Sequence, residues 1–280
     1  MAPEQAAPSP SLPLGLIAGN GRFPFLVAQA ARRAGRRIVA VAVQEEASPD
    51  LAAEVDEFHW VGLGHLGRCI SILQGASVHE AVMAGQVKHR QLFSGIVPDF
   101  KLLGVLARSI TRNTDSIIGA VAETLAEAGI RLVASTSLLS EEMARAGAMT
   151  RRRPSGSEQK DIAYGERVAR ALAGLDLGQA VAVKEQAAVA LEAMEGTDEV
   201  IRRAGRLAGA GVAVVKVSKP SQDMRFDVPV VGLGTLAAME EAGARVLAID
   251  SGRTLMIERI AVQARADELG MAIWGLVPPV

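Results

Sequence analysis

The chain has 280 residues, 49% of them hydrophobic and 22% charged, a composition that gives a folded core and excludes a disordered polymer. Thirty Lys and Arg stand against 31 Asp and Glu, for a formal charge of −1. With only 3% aromatic residues, that balance excludes a general nucleic-acid binder, which needs a basic excess and stacking surfaces. The length favours two domains, or one large one. No apolar run reaches the roughly eighteen residues that a membrane-spanning helix requires.

Residues 1–11 are rich in Ala and Pro, without a basic start or an apolar centre. They read as a disordered tail, not as a signal peptide. Strands are then expected over 14–18, 38–43, 59–63, 81–84 and 131–134, in short apolar runs without polar alternation. Helices are expected over 23–33, 66–73 and 115–129. The last has Ile117, Val121, Leu125 and Ala128 at helical spacing, with Gly129 to stop it. Strands buried on both faces and joined by helices predict a Rossmann-like parallel sheet for residues 12–150.

Ligands of such sheets sit beyond the carboxyl ends of the strands. Three glycine turns fall there. Gly19-Asn20-Gly21 follows the first strand, and a helix follows it, as phosphate-binding turns require. Pro24 occupies the third position of a dinucleotide fingerprint and breaks the match. Gly62-Leu63-Gly64-His65-Leu66-Gly67 matches G-x-G-x-x-G in full. It is not in the first strand-helix unit, and Glu80, at the distance of the ribose-binding acid, precedes a strand instead of ending one. A packing turn is the plainer reading of it. Gly85-Gln86-Val87-Lys88 places an amide and an ammonium at the same sheet edge. Asn113-Thr114-Asp115-Ser116 supplies N-cap residues for the long helix, with Asp115 a second candidate for the cleft. The one cysteine, Cys69, excludes an internal disulfide and fits a reducing compartment. His59, His65, His79 and His89 lack metal-ligand spacing, so any metal is expected to be a hard cation on carboxylates.

Arg151-Arg152-Arg153-Pro154-Ser155-Gly156-Ser157 combines charge, a helix breaker and small polar residues. It reads as a solvated linker over 151–160; the alternative is an arginine patch for an anionic substrate or lipid. A second α/β domain is expected over 161–280. It has strands at 181–184, 212–217, 245–250 and 271–274, a helical stretch running to residue 191, and further helices at 199–204 and 258–269. Glu195-Gly196-Thr197-Asp198 is a turn in which Thr197 can cap a helix able to hold an anion.

The segment 219–229 carries the most chemistry. Two prolines discourage a helix. In an extended chain, Lys219, Ser221, Asp223, Arg225 and Asp227 share one face, while Pro220, Gln222, Met224, Phe226 and Val228 share the other. Two cations beside two carboxylates suit phosphoryl transfer. Carboxylates hold Mg²⁺ together with substrate phosphates, and Lys and Arg offset developing charge. A solvated edge strand is the other reading. Val230-Val231-Gly232-Leu233-Gly234-Thr235 follows as another strand-turn-helix loop.

These blocks resemble a known family. Leu14-Gly15-Leu16-Ile17-Ala18-Gly19-Asn20-Gly21 with Pro24, Met83-Ala84-Gly85-Gln86-Val87, Asp176-Leu177-Gly178-Gln179, Glu195-Gly196-Thr197-Asp198, and Lys219-Pro220 with Gln222, Arg225, Asp227, Pro229 and Gly232 are similar to the UDP-2,3-diacylglucosamine pyrophosphatases of the LpxI type. Those enzymes act in bacterial lipid A synthesis. The resemblance runs from residue 14 to about residue 275. It implies two α/β domains with the substrate cleft between them, a homodimer, and Mg²⁺. It also implies hydrolysis of UDP-2,3-diacylglucosamine to UMP and 2,3-diacylglucosamine 1-phosphate, by water attacking the phosphorus nearer the sugar.

On this resemblance Asp227 is the essential aspartate, with Arg225 and Lys219 beside it. Asp223 is a second metal ligand. Gly19, Asn20, Gly21, Gly85, Gln86, Lys88, Gly196, Thr197, Asp198 and Gln222 meet the substrate. A cytoplasmic protein that contacts the inner membrane transiently is expected. Two other readings stand beside it. One is an NAD-dependent oxidoreductase built on Gly62 to Gly67. The other is a module that binds UDP-sugars without turnover.

Overall fold

The computed structural model describes residues 12–87, 98–108, 114–220 and 222–279. It divides into two compact units. One is Met1–Ser140 with Asp223–Asp227; the other is Glu141–Gln222 with Val228–Val280.

The first unit is a five-stranded parallel sheet. Its elements run β1 (Leu14–Ala18), α1 (Phe23–Arg33), β2 (Ile38–Val43), β3 (Glu57–Val61), α2 (Leu66–Gly75), β4 (Glu80–Ala84), α3 (Phe100–Arg108), α4 (Thr114–Glu127) and β5 (Arg131–Leu132). The strand order is β3-β2-β1-β4-β5, with every pair parallel. This is the Rossmann-like arrangement expected from the apolar runs. Val39, Val41, Leu73, Leu125 and Ile130 are buried in one cluster between sheet and helices. β3 begins two residues earlier than expected, because pairing runs from Val39↔Glu57 to Val43↔Val61 and leaves Gly62 to the turn. Gly129 follows α4 with φ of 82°, as a helix stop requires. At the amino edge of the sheet, Glu80 and Arg36 are both buried and paired at 3.2 Å, and Arg131 also holds Glu80.

The second unit contains β6 (Gly147–Ala148), α5 (Gly156–Gly174), β7 (Ala180–Lys184), β8 (Ala187–Leu191), α6 (Thr197–Ala208), β9 (Ala213–Lys216), β10 (Val230–Val231), α7 (Leu233–Ala242), β11 (Val246–Asp250), β12 (Leu255–Met256), α8 (Arg259–Glu268) and β13 (Ala272–Leu276). Its six-stranded sheet has the order β6-β13-β11-β9-β7-β8. The three central strands are parallel, and β6, β7 and β8 pair antiparallel. β10 and β12 form a separate parallel pair.

Three expectations change here. The helix read toward residue 191 is a β-hairpin. Glu185 and Gln186 both take the left-handed conformation, at φ of 52° and 59°, which makes the two-residue turn that hairpins favour. The Asp161 carboxylate accepts both of their N–H groups, at 3.2 and 2.6 Å. These bonds and the sheet override the helical preference of the alanines. The arginine run is not a free linker. Arg151 is held to Asp267 at 3.1 Å and Arg152 to Glu158 at 2.5 Å. Finally, α5 opens inside 151–160 through a capping box between Ser155 and Glu158, and the contact boundary falls at Ser140/Glu141 instead of residue 150.

Helices α6 and α7 meet almost backbone to backbone. A Cβ placed on Gly205 would lie 2.6 Å from the Ala242 Cα. Gly205→Val is expected to lower the stability of the protein by about 1–3 kcal/mol, the usual range for overpacking. Urea denaturation of the two proteins checks it.

Candidate active site

In the first unit, β1 and β4 are neighbours, with β2 and β3 on one side and β5 on the other. The strand order reverses between them, and open sheets bind ligands outside the carboxyl ends at such a point. The loops leaving it are Gly19-Asn20-Gly21 and Gly85-Gln86, so two turns 66 residues apart in sequence (Asn20 to Gln86) are brought together there. Their backbones are joined. Gly19 N–H donates to Ala84 O at 2.9 Å, Asn20 N–H to Gln86 O at 2.7 Å, and Gln86 N–H to Asn20 O at 3.1 Å. A Cβ on Gly19 would lie 2.6 Å from Gln86 O, and one on Gly85 2.5 Å from Asn20 O. Both positions therefore require glycine, and Gly85 also takes φ of 92°. The first turn of α1, just beyond Gly21, has no acidic residue, which leaves that helix end electrostatically suited to an anion. Lys88 and Asn113 lie outside the described residues, and for Asp115 only its place in α4 is described.

The full glycine fingerprint behaves differently. Its turn follows β3, at the outer edge of the sheet. The Asp99 carboxylate accepts the Gly67 N–H at 2.7 Å and the Leu102 N–H at 2.9 Å. An internal carboxylate thus occupies the helix end where a pyrophosphate would bind. Glu80, which stood at the spacing of a ribose-binding acid, is tied up with Arg36 and Arg131 at the opposite edge. Both observations remove the basis of the oxidoreductase reading.

In the second unit, two sequence blocks converge on a residue that pattern reading missed. Glu192 follows β8 and is 7% exposed. Its Oε1 accepts the Thr197 hydroxyl at 2.7 Å, and its Oε2 accepts the Gln179 N–H at 3.0 Å. Gly178 lets the chains approach, since a Cβ there would lie 2.3 Å from Glu192 O. Gly196 is the N-cap of α6, and Thr197 is the first helical residue rather than the cap. Its hydroxyl is turned to Glu192 instead of its own helix. A Cβ on Gly234, in the first turn of α7, would lie 3.7 Å from the Asp198 carboxylate. Glu192→Ala leaves a buried N–H and a hydroxyl without this acceptor. It is expected to cost about 1–3 kcal/mol of stability, measured by urea denaturation.

The described residues of 219–227 do not form a strand. Ser218 and Lys219 follow β9 and are held in the second unit. The Asp250 carboxylate accepts the Ser218 N–H and hydroxyl, each at 2.7 Å. Lys219 Nζ pairs with Asp176 at 2.9 Å, and Lys219 N–H donates to Gln222 Oε1 at 2.6 Å. Residues Asp223–Asp227 belong to the first unit. They form a turn in which Phe226 and Asp227 donate N–H bonds to Asp223 O, at 3.2 and 2.9 Å. Phe226 packs against the first unit's core. The expected two-faced strand is absent because side-chain and backbone bonds local to the turn replace any sheet partner.

Within that turn the Arg225 guanidinium grips the Asp223 carboxylate through bonds of 2.6 to 3.1 Å. Those bonds hold the Asp223 carboxyl below its ordinary range and raise the Arg225 guanidinium above its own. Asp223 is therefore committed to Arg225, which makes it a poor ligand for a cation. Among the described residues no group of three or more His, Cys, Asp or Glu side chains could hold a metal. This donor set does not build an all-protein cage. Mg²⁺ does not need such a cage, since it commonly takes one or two carboxylates plus water and substrate phosphate oxygens.

Asp250 is the second residue missed by pattern reading, where it was only the last residue of the strand expected at 245–250. It is fully buried, and Arg170 of α5 clasps both of its oxygens at 2.7 Å. Burial works to raise its pKa, but the bonds from Arg170 and Ser218 outweigh that and the carboxyl lies below its ordinary value. A carboxylate ending an apolar strand was the available signal.

Paired glycine loops at a switch point, and a second α/β unit whose loops are organised by buried carboxylates, define a two-domain α/β protein. Comparison with known proteins sharpens the class. The LpxI N-terminal domain matches residues 13–142 and the LpxI C-terminal domain residues 145–274. The UDP-2,3-diacylglucosamine pyrophosphatase LpxI of Caulobacter vibrioides is 31% identical over 279 residues, covering 95% of this chain and 98% of that protein. The chain belongs to the LpxI family.

Proposed function

We propose that the protein hydrolyses the pyrophosphate bond of UDP-2,3-diacylglucosamine, as the named activity of its Caulobacter relative suggests. The observation that carries this reading is the end-to-end match of both domains, together with the joined loops at Gly19 and Gly85. The products are UMP and 2,3-diacylglucosamine 1-phosphate, which places the reaction in lipid A synthesis. Water adds to the phosphorus nearer the sugar, the bond from that phosphorus to the bridging oxygen breaks, and the bridging oxygen leaves with UMP.

Each group has a role in this reading. The loops at Gly19 to Gly21 and at Gly85 and Gln86, with Lys88, bind the nucleotide end. Gly196, Thr197, Asp198 and Gln222 bind the remainder of the substrate. Asp227 would hold Mg²⁺, which when bound would supply charge neutralisation at the phosphates. Arg225 and Lys219 offset charge that develops in the transition state. Asp223 orients Arg225. Asp176 steadies Lys219, and Asp250 positions the chain just before it.

No helix among the described residues is long and apolar enough to cross a membrane. A cytoplasmic homodimer that meets the inner-membrane surface completes the proposal. The test is UMP release from UDP-2,3-diacylglucosamine with Mg²⁺ and with EDTA. Metal-dependent release is expected. No release with any divalent cation, from folded protein, overturns the reading and favours a module that binds without turnover.

A further inference from the structure

Helix α3 leaves an apolar face uncovered. Phe100 is 94% exposed, Leu103 47% and Leu106 41%. They recur at a spacing of three and so lie on one side of the helix. Val105 is buried in the core of the first unit and Leu102 packs against it. One large exposed apolar side chain is ordinary on a protein surface; three aligned on one helix mark an interaction surface.

The position of α3 narrows what that surface meets. Asp99, the residue before it, binds the N–H of Gly67 at the start of α2 and donates its own N–H to Gly64 O at 2.9 Å. The turn at Gly62 to Gly64 lies at the carboxyl end of β3. Phe100 therefore emerges at the same edge of the parallel sheet as the Gly19 and Gly85 loops.

Charge narrows it further. Lys101 is exposed beside the apolar face. The helix itself holds Lys101 and Arg108 and no acidic residue, in a chain whose net charge is −1. The Asp99 carboxylate is already taken up by the N–H groups of Gly67 and Leu102. An apolar face on a cationic helix, with Lys101 exposed beside it, is complementary to a bilayer with anionic head groups.

We propose that the Phe100, Leu103 and Leu106 face of α3, with Lys101, docks on the surface of an anionic lipid bilayer. The proposal rests on the acylated-substrate reading above, because a diacylated sugar nucleotide resides in such a bilayer. The side chains enter the boundary between head groups and acyl chains, and Lys101 stays with the head groups. The occupant is the bilayer, not a pocketed acyl chain and not a second copy of the chain.

The test uses the full-length protein and vesicles of phosphatidylcholine with and without phosphatidylglycerol. Wild type is expected to co-sediment with the anionic vesicles. The F100S/L103S/L106S variant is expected to bind them about tenfold more weakly or worse. K101E is expected to weaken binding to the anionic vesicles alone. The triple variant should keep the wild-type kcat and KM on a dispersed short-chain UDP-diacylglucosamine and lose turnover of long-chain substrate embedded in vesicles. Undiminished vesicle binding by a folded triple variant overturns the proposal. So does a raised KM for the short-chain substrate with vesicle binding intact, which makes the face an acyl-chain subsite. If the triple variant does not fold, F100S and K101E are read in its place by the same criteria. Face-dependent vesicle binding by a protein that releases no UMP upholds the docking surface while the proposed activity fails, so the two readings separate.

Discussion

Asp227→Ala is expected to reduce UMP release from UDP-2,3-diacylglucosamine by about a thousandfold or more while the protein stays folded. Asp227 enters its turn through a backbone N–H bond to Asp223 O at 2.9 Å, which alanine keeps. The Arg225 grip on Asp223 and the packing of Phe226 supply the rest. Lost turnover would then report on the carboxylate itself and not on a collapsed loop. Circular dichroism and a thermal melt establish the fold, and a product assay at saturating Mg²⁺ reads the activity. A variant that turns over at the wild-type rate removes Asp227 from the chemistry. Asp223→Asn is expected to behave differently. It loosens Arg225 without removing the proposed metal ligand, so its loss should be smaller and should persist at high Mg²⁺.

The largest effect on stability is expected at Asp250. Asp250→Ala removes a fully buried carboxylate and leaves the Arg170 guanidinium and the Ser218 N–H and hydroxyl without that acceptor. Breaking one side of a buried ion pair costs about 3–5 kcal/mol. That is a large part of the total stability of a domain. Chemical denaturation measures it, and a loss under about 1 kcal/mol would show that the pair contributes little net stability.

The same pair predicts how stability depends on acid. The folded carboxyl titrates below its ordinary value. Above the unfolded value of about 4, both states are ionised and the pair contributes in full. As the pH falls below about 4, the unfolded chain binds the proton first. Stability then declines until the folded carboxyl is protonated too. Asp250→Ala should flatten this part of the stability profile, below about pH 4. Since Ser218 directly precedes Lys219, the variant should also lose activity at temperatures where it remains folded.

The parallel sheet of the first unit was legible in the sequence because its local signals agree. Residues 14–18, 23–33 and 38–43 bound a strand, a helix and a strand with the observed limits. Strands buried on both faces need unbroken apolar runs, and such runs stand out from their neighbours. The glycine turns at Gly19 and Gly85 could be read for the same reason, since close backbone approach tolerates no other residue.

What the sequence could not decide depended on partners distant along the chain. The alanine-rich stretch at Ala187–Leu191 became a strand because Asp161, about 25 residues earlier, accepts the N–H groups of its turn. The fingerprint at Gly62 lost its anion seat to Asp99, 32 residues from Gly67. The mixed-charge segment after Lys219 lacked a sheet partner and folded into a turn, with Arg225 closing on Asp223. Glu192 and Asp250 carry no motif; only folding surrounds each with the donors that make it an organising group. Local composition and periodicity thus determined which segments of the first unit form its parallel sheet and where its turns must be glycine. Tertiary structure decided which charged residues meet, because a charge pair is selected by distance in space and leaves no fixed spacing in the chain.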